Sequence, residues 1–116
     1  NKKVAHLAKL LLNHGVPSAV SLVSPYLENR ENARGIIDAG DQFAECYVKC
    51  SLEKCEERDV KGMYAKARKG EIKGFTGIDD PYEAPEKADL VVDTEHDSLS
   101  DSAQKVKDFL KGRNLL

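Results

Sequence analysis

The sequence predicts an α/β protein in which a parallel sheet is flanked by helices. Segments with apolar residues at helical spacing alternate with short apolar or β-branched runs. Between successive runs lie connections long enough to hold a helix, which parallel strands require and hairpins do not. Glycines close several of the helical stretches, so the alternation is punctuated as well as periodic.

Val4, Leu7, Ala8, Leu11 and Leu12 recur at helical spacing, and Gly15 follows as a stop. Ala19-Val20-Ser21-Leu22-Val23 is a short, mostly apolar run ended by Ser24-Pro25, which reads as a first buried strand. Residues 28–39 carry Ala33, Ile36 and Ile37 along one side and end at Gly40, as a second helix would. Residues 43–50 have strand composition. Ser51 then stands where an N-cap belongs, ahead of a third helix over residues 52–58. Leu90-Val91-Val92, bounded by Asp89 and Asp93, is the third strand. Ser100 precedes a last helix over 101–111, with Ala103, Val106, Phe109 and Leu110 in period, Asp101 near its positive end, Lys111 near its negative end and Gly112 as stop.

Composition narrows the function class. At 116 residues with a net charge of −2, the chain is read as one soluble globular unit or part of one, without the basic face that nucleic acid demands. It contains no apolar run long enough to span a bilayer, and Asn1-Lys2-Lys3 opens no signal-peptide core, so a cytoplasmic location is expected. Cys46, Cys50 and Cys55 are odd in number, form no C-x-x-C pair and have no neighbouring histidine. They read as structural thiols, with no metal site expected. His6, His14 and His96 share no ligand spacing.

Parallel sheets place ligands beyond the carboxyl ends of their strands. That rule nominates Val23-Ser24-Pro25-Tyr26, the region of Ser51, and Asp93-Thr94-Glu95. Over the same rim hangs the segment 59–85, D-V-K-G-M-Y-A-K-A-R-K-G-E-I-K-G-F-T-G-I-D-D-P-Y-E-A-P, which no ordinary helix or strand calls for. It joins five cations, an aromatic close to glycines and a Gly-Ile-Asp turn. A mobile flap closing over an anionic nucleotide needs those properties.

This segment resembles the lid of the adenylylsulfate kinases, P-loop kinases that use MgATP to phosphorylate the 3′-hydroxyl of adenosine 5′-phosphosulfate. The matching residues are Lys61-Gly62-Met63-Tyr64, Lys66-Ala67-Arg68, Gly70-Glu71-Ile72-Lys73, Phe75-Thr76-Gly77-Ile78-Asp79, Pro81-Tyr82-Glu83 and Pro85. Upstream, Ser24-Pro25-Tyr26 with Arg30 and Arg34 is similar to the family's Ser-Pro-Tyr-Arg-x-Asp-Arg-x-x-x-Arg motif, and Leu7-Ala8-Lys9-Leu10 resembles its preceding helix. The likeness spans essentially the whole chain.

The resemblance implies a role for each residue. Phe75 would stack on adenine, or serve as a hinge aromatic against the core, and Gly74 would let the backbone approach the ligand. Lys61 and Lys73 would neutralise phosphosulfate and transferring phosphoryl charge. Val23 and Ser24 would line the phosphosulfate pocket. Ser24 also matches the position of a phosphoserine intermediate in family members, and a pocket hydroxyl and a covalent role both stay open. Arg58, with Asp59, and Asp97 would approach ATP. Arg30 and Arg34, four apart, would face the cleft or pair with Glu31 and Asp38. A homodimer is implied too.

Two features depart from the family. Leu27 and Asn29 stand where it has Arg and Asp. Neither a G-x-x-x-x-G-K-[ST] loop, which cradles the ATP phosphates, nor the family's Asp-Gly-Asp segment occurs in the 116 residues. The expectation is therefore a P-loop kinase fold without its P-loop strand, the carboxy-terminal part of a kinase domain with 59–85 as substrate lid. Alone it would be inactive. The alternative is a non-catalytic nucleotide-binding or partner-dependent fragment.

Overall fold

The computed structural model describes residues 1–38 and 40–115. In chain order the elements are α1 (Lys2–Asn13), α2 (Leu27–Ile37), a 3-10 turn (Gly40–Gln42), β1 (Cys46–Lys49), α3 (Leu52–Arg58), α4 (Met63–Arg68), β2 (Leu90–Asp93) and α5 (Leu99–Gly112). β1 and β2 pair in parallel, Cys46 opposite Leu90 through Lys49 opposite Asp93. The pairing continues past both ends, with Leu90 N–H donating to Glu45 O at 3.1 Å and Thr94 N–H to Lys49 O at 2.9 Å. α1 packs on α2, and α5 on β2.

Several elements fall as expected and several do not. Ser51 caps α3, its hydroxyl accepting from Lys54 N–H. Gly15 turns the chain after α1 with φ +73°. Residues 19–23 form no strand: among the described residues no ladder joins them to a neighbour, and Val20, Leu22 and Val23 are exposed. A strand has no hydrogen bonds of its own, so apolar composition without an adjacent edge leaves an extended segment. The run expected over 43–50 shortens to the four residues that β2 can pair. Helix α5 begins under Ser98, not Ser100, because Ser98 and Asp101 have capping-box spacing: Ser98 Oγ accepts from Asp101 N–H at 3.1 Å and donates to its carboxylate at 2.7 Å. That helix runs through Gly112, and Asn114 takes the left-handed turn at φ +55°. α2 ends at Ile37, with Asp38 at φ +43°. Ala39, expected in that helix, lies outside the described residues.

The segment 59–85 is more ordered than its sequence suggested, since its first half contains α4. Asp59 folds over that helix's start, Oδ1 accepting from Tyr64 N–H and Oδ2 from Ala65 N–H, both at 3.0 Å. The Ala65 N–H, with those of Tyr64 and Met63, outweighs burial and holds the Asp59 carboxyl below its ordinary range. α4 is tied to α3 by a two-pronged pairing of Arg68 with Glu56. Asp59→Ala should therefore fray α4 without unfolding the chain. Faster amide exchange at Tyr64 and Ala65, with the β1 amides unchanged, is the expected result.

The core is thin. Ala5, Ala8, Ala67 and Val92 are the buried apolar residues among those described, and Leu7, Leu10, Val48 and Val91 are exposed. The radius of gyration, 15.7 Å, exceeds the roughly 13 Å of a compact chain of this length. A two-stranded sheet cannot cover all the apolar faces presented to it. Among the described residues, no helix is long and apolar enough to cross a membrane.

Candidate functional site

Two clusters form around the nominated residues. The first is built on the turn after residues 19–23. Val23 is 66% exposed, and with Ser24 it lines an apolar cavity of about 520 Å³ bounded by α1, α2 and β1 and reached by Tyr82 and Pro85. Ser24 has φ +41°. A non-glycine residue held there costs roughly 1–3 kcal/mol, and such strain persists only where neighbours enforce it. The enforcement is visible: Arg30 Nη1 donates to Ser24 O at 2.7 Å, while Glu83 N–H donates to Pro25 O at 2.8 Å.

Helix α2 is capped from a distance. Its N-cap residue, Tyr26, makes no side-chain cap bond, and Leu27 N–H instead donates to Glu83 Oε2 at 2.6 Å. The other Arg30 contacts are Glu83 O through Nη2, the Tyr82 ring at 5.8 Å and Glu45 Oε1 at 3.0 Å from Nε. The Arg30 side chain is only 10% exposed.

The partners of Arg30 and Arg34 are thus not Glu31 and Asp38. Arg34 pairs with Asp89 at 2.7 Å and Glu45 at 3.7 Å, with its guanidinium over the Phe43 ring. Asp89 also accepts from Glu45 N–H and from Arg113. Burial pushes the Asp89 carboxyl up, but the Glu45 N–H, Arg34 and Arg113 together leave it below the usual aspartate range. Helix spacing suggested local pairs; the carboxylate partners are instead the residues immediately ahead of β1 and β2, Glu45 and Asp89.

The second cluster holds the aromatic turn. Gly74 has φ +65° and leads into Phe75, whose carbonyl receives Ile78, Asp79 and Asp80 N–H while its own N–H donates to Asp79 Oδ2 at 3.0 Å. Gly77 closes the turn at φ +90°, and a Cβ there would stand 3.0 Å from Leu52 Cδ1. The backbone conformation favours glycine, and a Cβ there would oblige the Leu52 side chain to shift. The Phe75 ring is half-buried, edge-on to Tyr64 with centroids 4.9 Å apart. Lys61 and Lys73 are exposed and make no ion pair among the described residues. Neither lysine, nor Gly74 nor Phe75, is among the residues lining the cavity beside Ser24. The two clusters are joined through the end of the segment, at Tyr82 and Glu83.

Arg58 and Asp97 have internal partners. Arg58 donates to Thr94 O at 2.6 Å and approaches Cys50 Sγ at 3.7 Å, and Asp97 pairs with Lys105. Glu95 accepts from Ser51 N–H at 2.9 Å, which ties the carboxyl ends of the two strands together. Burial, followed by contact with Cys50, pushes the Cys55 thiol up, as suits a packing thiol rather than a nucleophile. Among the described residues no group of three or more His, Cys, Asp or Glu could hold a metal.

Sequence reading missed Glu83, Glu45 and Asp89 as organisers of the first cluster. The available signal was that Arg30 and Arg34 lie on one helical face, which calls for carboxylates opposite, though not for these particular ones.

The chain is similar to known proteins. A family model described as adenylylsulphate kinase matches residues 1–93. An adenylyl-sulfate kinase of Staphylococcus epidermidis is 44% identical over 110 residues, 95% of this chain and 55% of that protein. One from Oceanobacillus iheyensis is 44% identical over 115 residues, 99% of this chain and 57% of that protein. A solved structure of the Mycobacterium tuberculosis APS kinase in complex with AMPPNP and APS superposes with a TM-score of 0.87 at 43% identity, covering 95% of this chain and 64% of the other. The chain spans about half the length of the curated relatives it matches. The helix-flanked parallel sheet is accordingly part of the α/β fold of those kinases. By family model, by identity across nearly its whole length and by superposition, the chain belongs to the adenylylsulphate kinase family.

Proposed function

We propose that this chain carries the acceptor-nucleotide side of an adenylylsulfate kinase, the part that holds adenosine 5′-phosphosulfate while its 3′-hydroxyl receives the γ-phosphoryl of ATP. The observation that carries the reading is the pre-built Gly74-Phe75 turn, with a half-buried ring and, in the same 59–85 segment, two exposed lysines without ion-pair partners. In this reading 59–85 is the substrate lid. The free part of the Phe75 ring takes the adenine face, Lys61 and Lys73 neutralise the phosphosulfate and the arriving phosphoryl charge, and Val23 and Ser24 form a wall of the pocket.

Ser24 acts there as a pocket hydroxyl. Its known contact to Arg30 is through the carbonyl, and among the described residues no base is hydrogen-bonded to its Oγ, which a covalent role would require. The ATP side does not fit the residues present. Arg58 and Asp97 are engaged internally, and the sequence has no phosphate-cradling glycine loop.

The chain by itself is therefore expected to bind phosphosulfate more tightly than AMP in calorimetric titration, and to form no ATP-dependent product in a coupled assay. Turnover at ordinary enzyme rates would refute this division of labour, and equal affinity for AMP would refute the substrate. A partner-dependent reading draws on a different observation, the cavity of about 520 Å³ beside the unpaired residues 19–23. Failure of the chain to bind either nucleotide would favour it.

A further inference from the structure

We infer that Arg30 is a positioning residue, whose guanidinium holds Ser24 in its left-handed conformation and fastens the carboxyl end of the 59–85 segment to the same turn. The inference rests on the reading under Proposed function, which makes that turn a wall of the phosphosulfate pocket. Its physical basis is the number of separate chain regions that one side chain reaches. Nη1 donates to Ser24 O, Nη2 to Glu83 O, and Nε faces Glu45 on the strand side at 3.0 Å. Glu83 then returns two bonds, its N–H to Pro25 O and its carboxylate to Leu27 N–H. The loop is closed: helix α2 supplies Arg30, and Glu83 caps that same helix.

Two consequences follow from the geometry. A carbonyl gripped at 2.7 Å orients the peptide plane after Ser24, so Arg30 braces the carboxyl side of the strained turn, which Ser24's own preference would not hold. Because the second prong grips Glu83 O, displacement of the segment's end and relaxation of Ser24 are one event. The arrangement needs a planar fork with donors on separate nitrogens. A lysine ammonium could keep the charge facing Glu45 but could not grip two carbonyls in fixed directions.

The test uses three variants, Arg30→Lys, Arg30→Met and Arg34→Met. Arg34 lies on the same helix and in the same ion network, yet touches neither Ser24 nor Glu83, so it controls for lost stability. Amide exchange is read at Leu27 and Glu83, and phosphosulfate affinity by calorimetry. Expected for Arg30→Lys is exchange at least tenfold faster at both amides and affinity about tenfold weaker, with a thermal midpoint near that of the unaltered chain. Arg34→Met should lower the midpoint and leave both other readings in place. The inference is overturned if Arg30→Lys behaves as the unaltered chain in exchange and affinity, or if Arg34→Met moves them as far as Arg30→Met does. Should the unaltered chain bind no phosphosulfate, the functional reading fails and the pocket role of Arg30 with it. Faster exchange at Leu27 and Glu83 would then still establish the fastening.

Discussion

Asp89→Ala is expected to lower the stability of the chain by about 2–3 kcal/mol, the cost of leaving a sequestered N–H and two guanidinium groups without their carboxylate. Asp89 is 19% exposed and receives Glu45 N–H at 2.8 Å, Arg34 at 2.7 Å and Arg113 at 3.2 Å. It thereby joins α2, the start of β1 and the end of α5. Arg34 is 43% exposed, so water partly compensates it, which is why the figure lies at the low end for a broken ion network. In a chain of this size the loss corresponds to a fall in thermal midpoint of roughly 10 °C.

The pH dependence of the same variant carries a sign. The Asp89 carboxyl titrates below its ordinary value in the folded chain, despite burial, because Glu45 N–H, Arg34 and Arg113 favour its charged form. A group depressed in this way stabilises the fold above its unfolded pKa of about 3.9. The contribution is lost as pH falls through the lower folded value. The stability gap between the unaltered chain and Asp89→Ala, measured by urea denaturation, should be widest near neutrality and shrink below about pH 4. A gap that stays constant down to pH 3 would mean that packing, not charge, accounts for the substitution.

What could be read from sequence divides along the range of the forces involved. Helices α1, α3 and α5 announced themselves through local periodicity, and α3 also through its Ser51 cap, because such signals lie within a turn or two of the residues they organise. Residues 19–23 did not form the expected strand, since pairing is a property of two segments and composition describes only one. The same limit applies to the site. Gly74, Phe75 and Gly77 were legible as a turn bearing an aromatic, and the structure builds that turn from bonds within six residues. The Arg30 contacts to Glu83, 53 residues away, and the Asp89 hub have no local signature. The first depends on where the end of the 59–85 segment meets α2, the second on where the sheet puts the residues ahead of its strands. α4 was hidden for a related reason: a run rich in cations and glycines reads as irregular until Asp59 and Glu56 are seen to anchor it.

Phe75→Ala is expected to weaken phosphosulfate binding by roughly 5- to 150-fold, the range given by about 1–3 kcal/mol of lost stacking on a nucleobase. The substitution is informative because the backbone around Phe75 does not depend on its ring. The bonds from Gly77 N–H to Asp80 O, from Phe75 N–H to Asp79 Oδ2, and from the three amides to Phe75 O involve no atom of the ring. What the ring does touch is Tyr64, edge-on at 4.9 Å, and such contacts contribute about 0.5–1.5 kcal/mol. Tyr64→Leu separates the two roles, since it removes the edge contact and leaves the Phe75 ring available to a ligand. If Phe75 stacks on adenine, Phe75→Ala loses affinity with a modest change in thermal midpoint, and Tyr64→Leu loses far less. If the ring is instead a hinge aromatic, both variants lower the midpoint alike and phosphosulfate affinity follows stability in each. Phe75→Tyr adds a third point: a stacking surface is preserved there, so near-native affinity is required by the first account and left unspecified by the second.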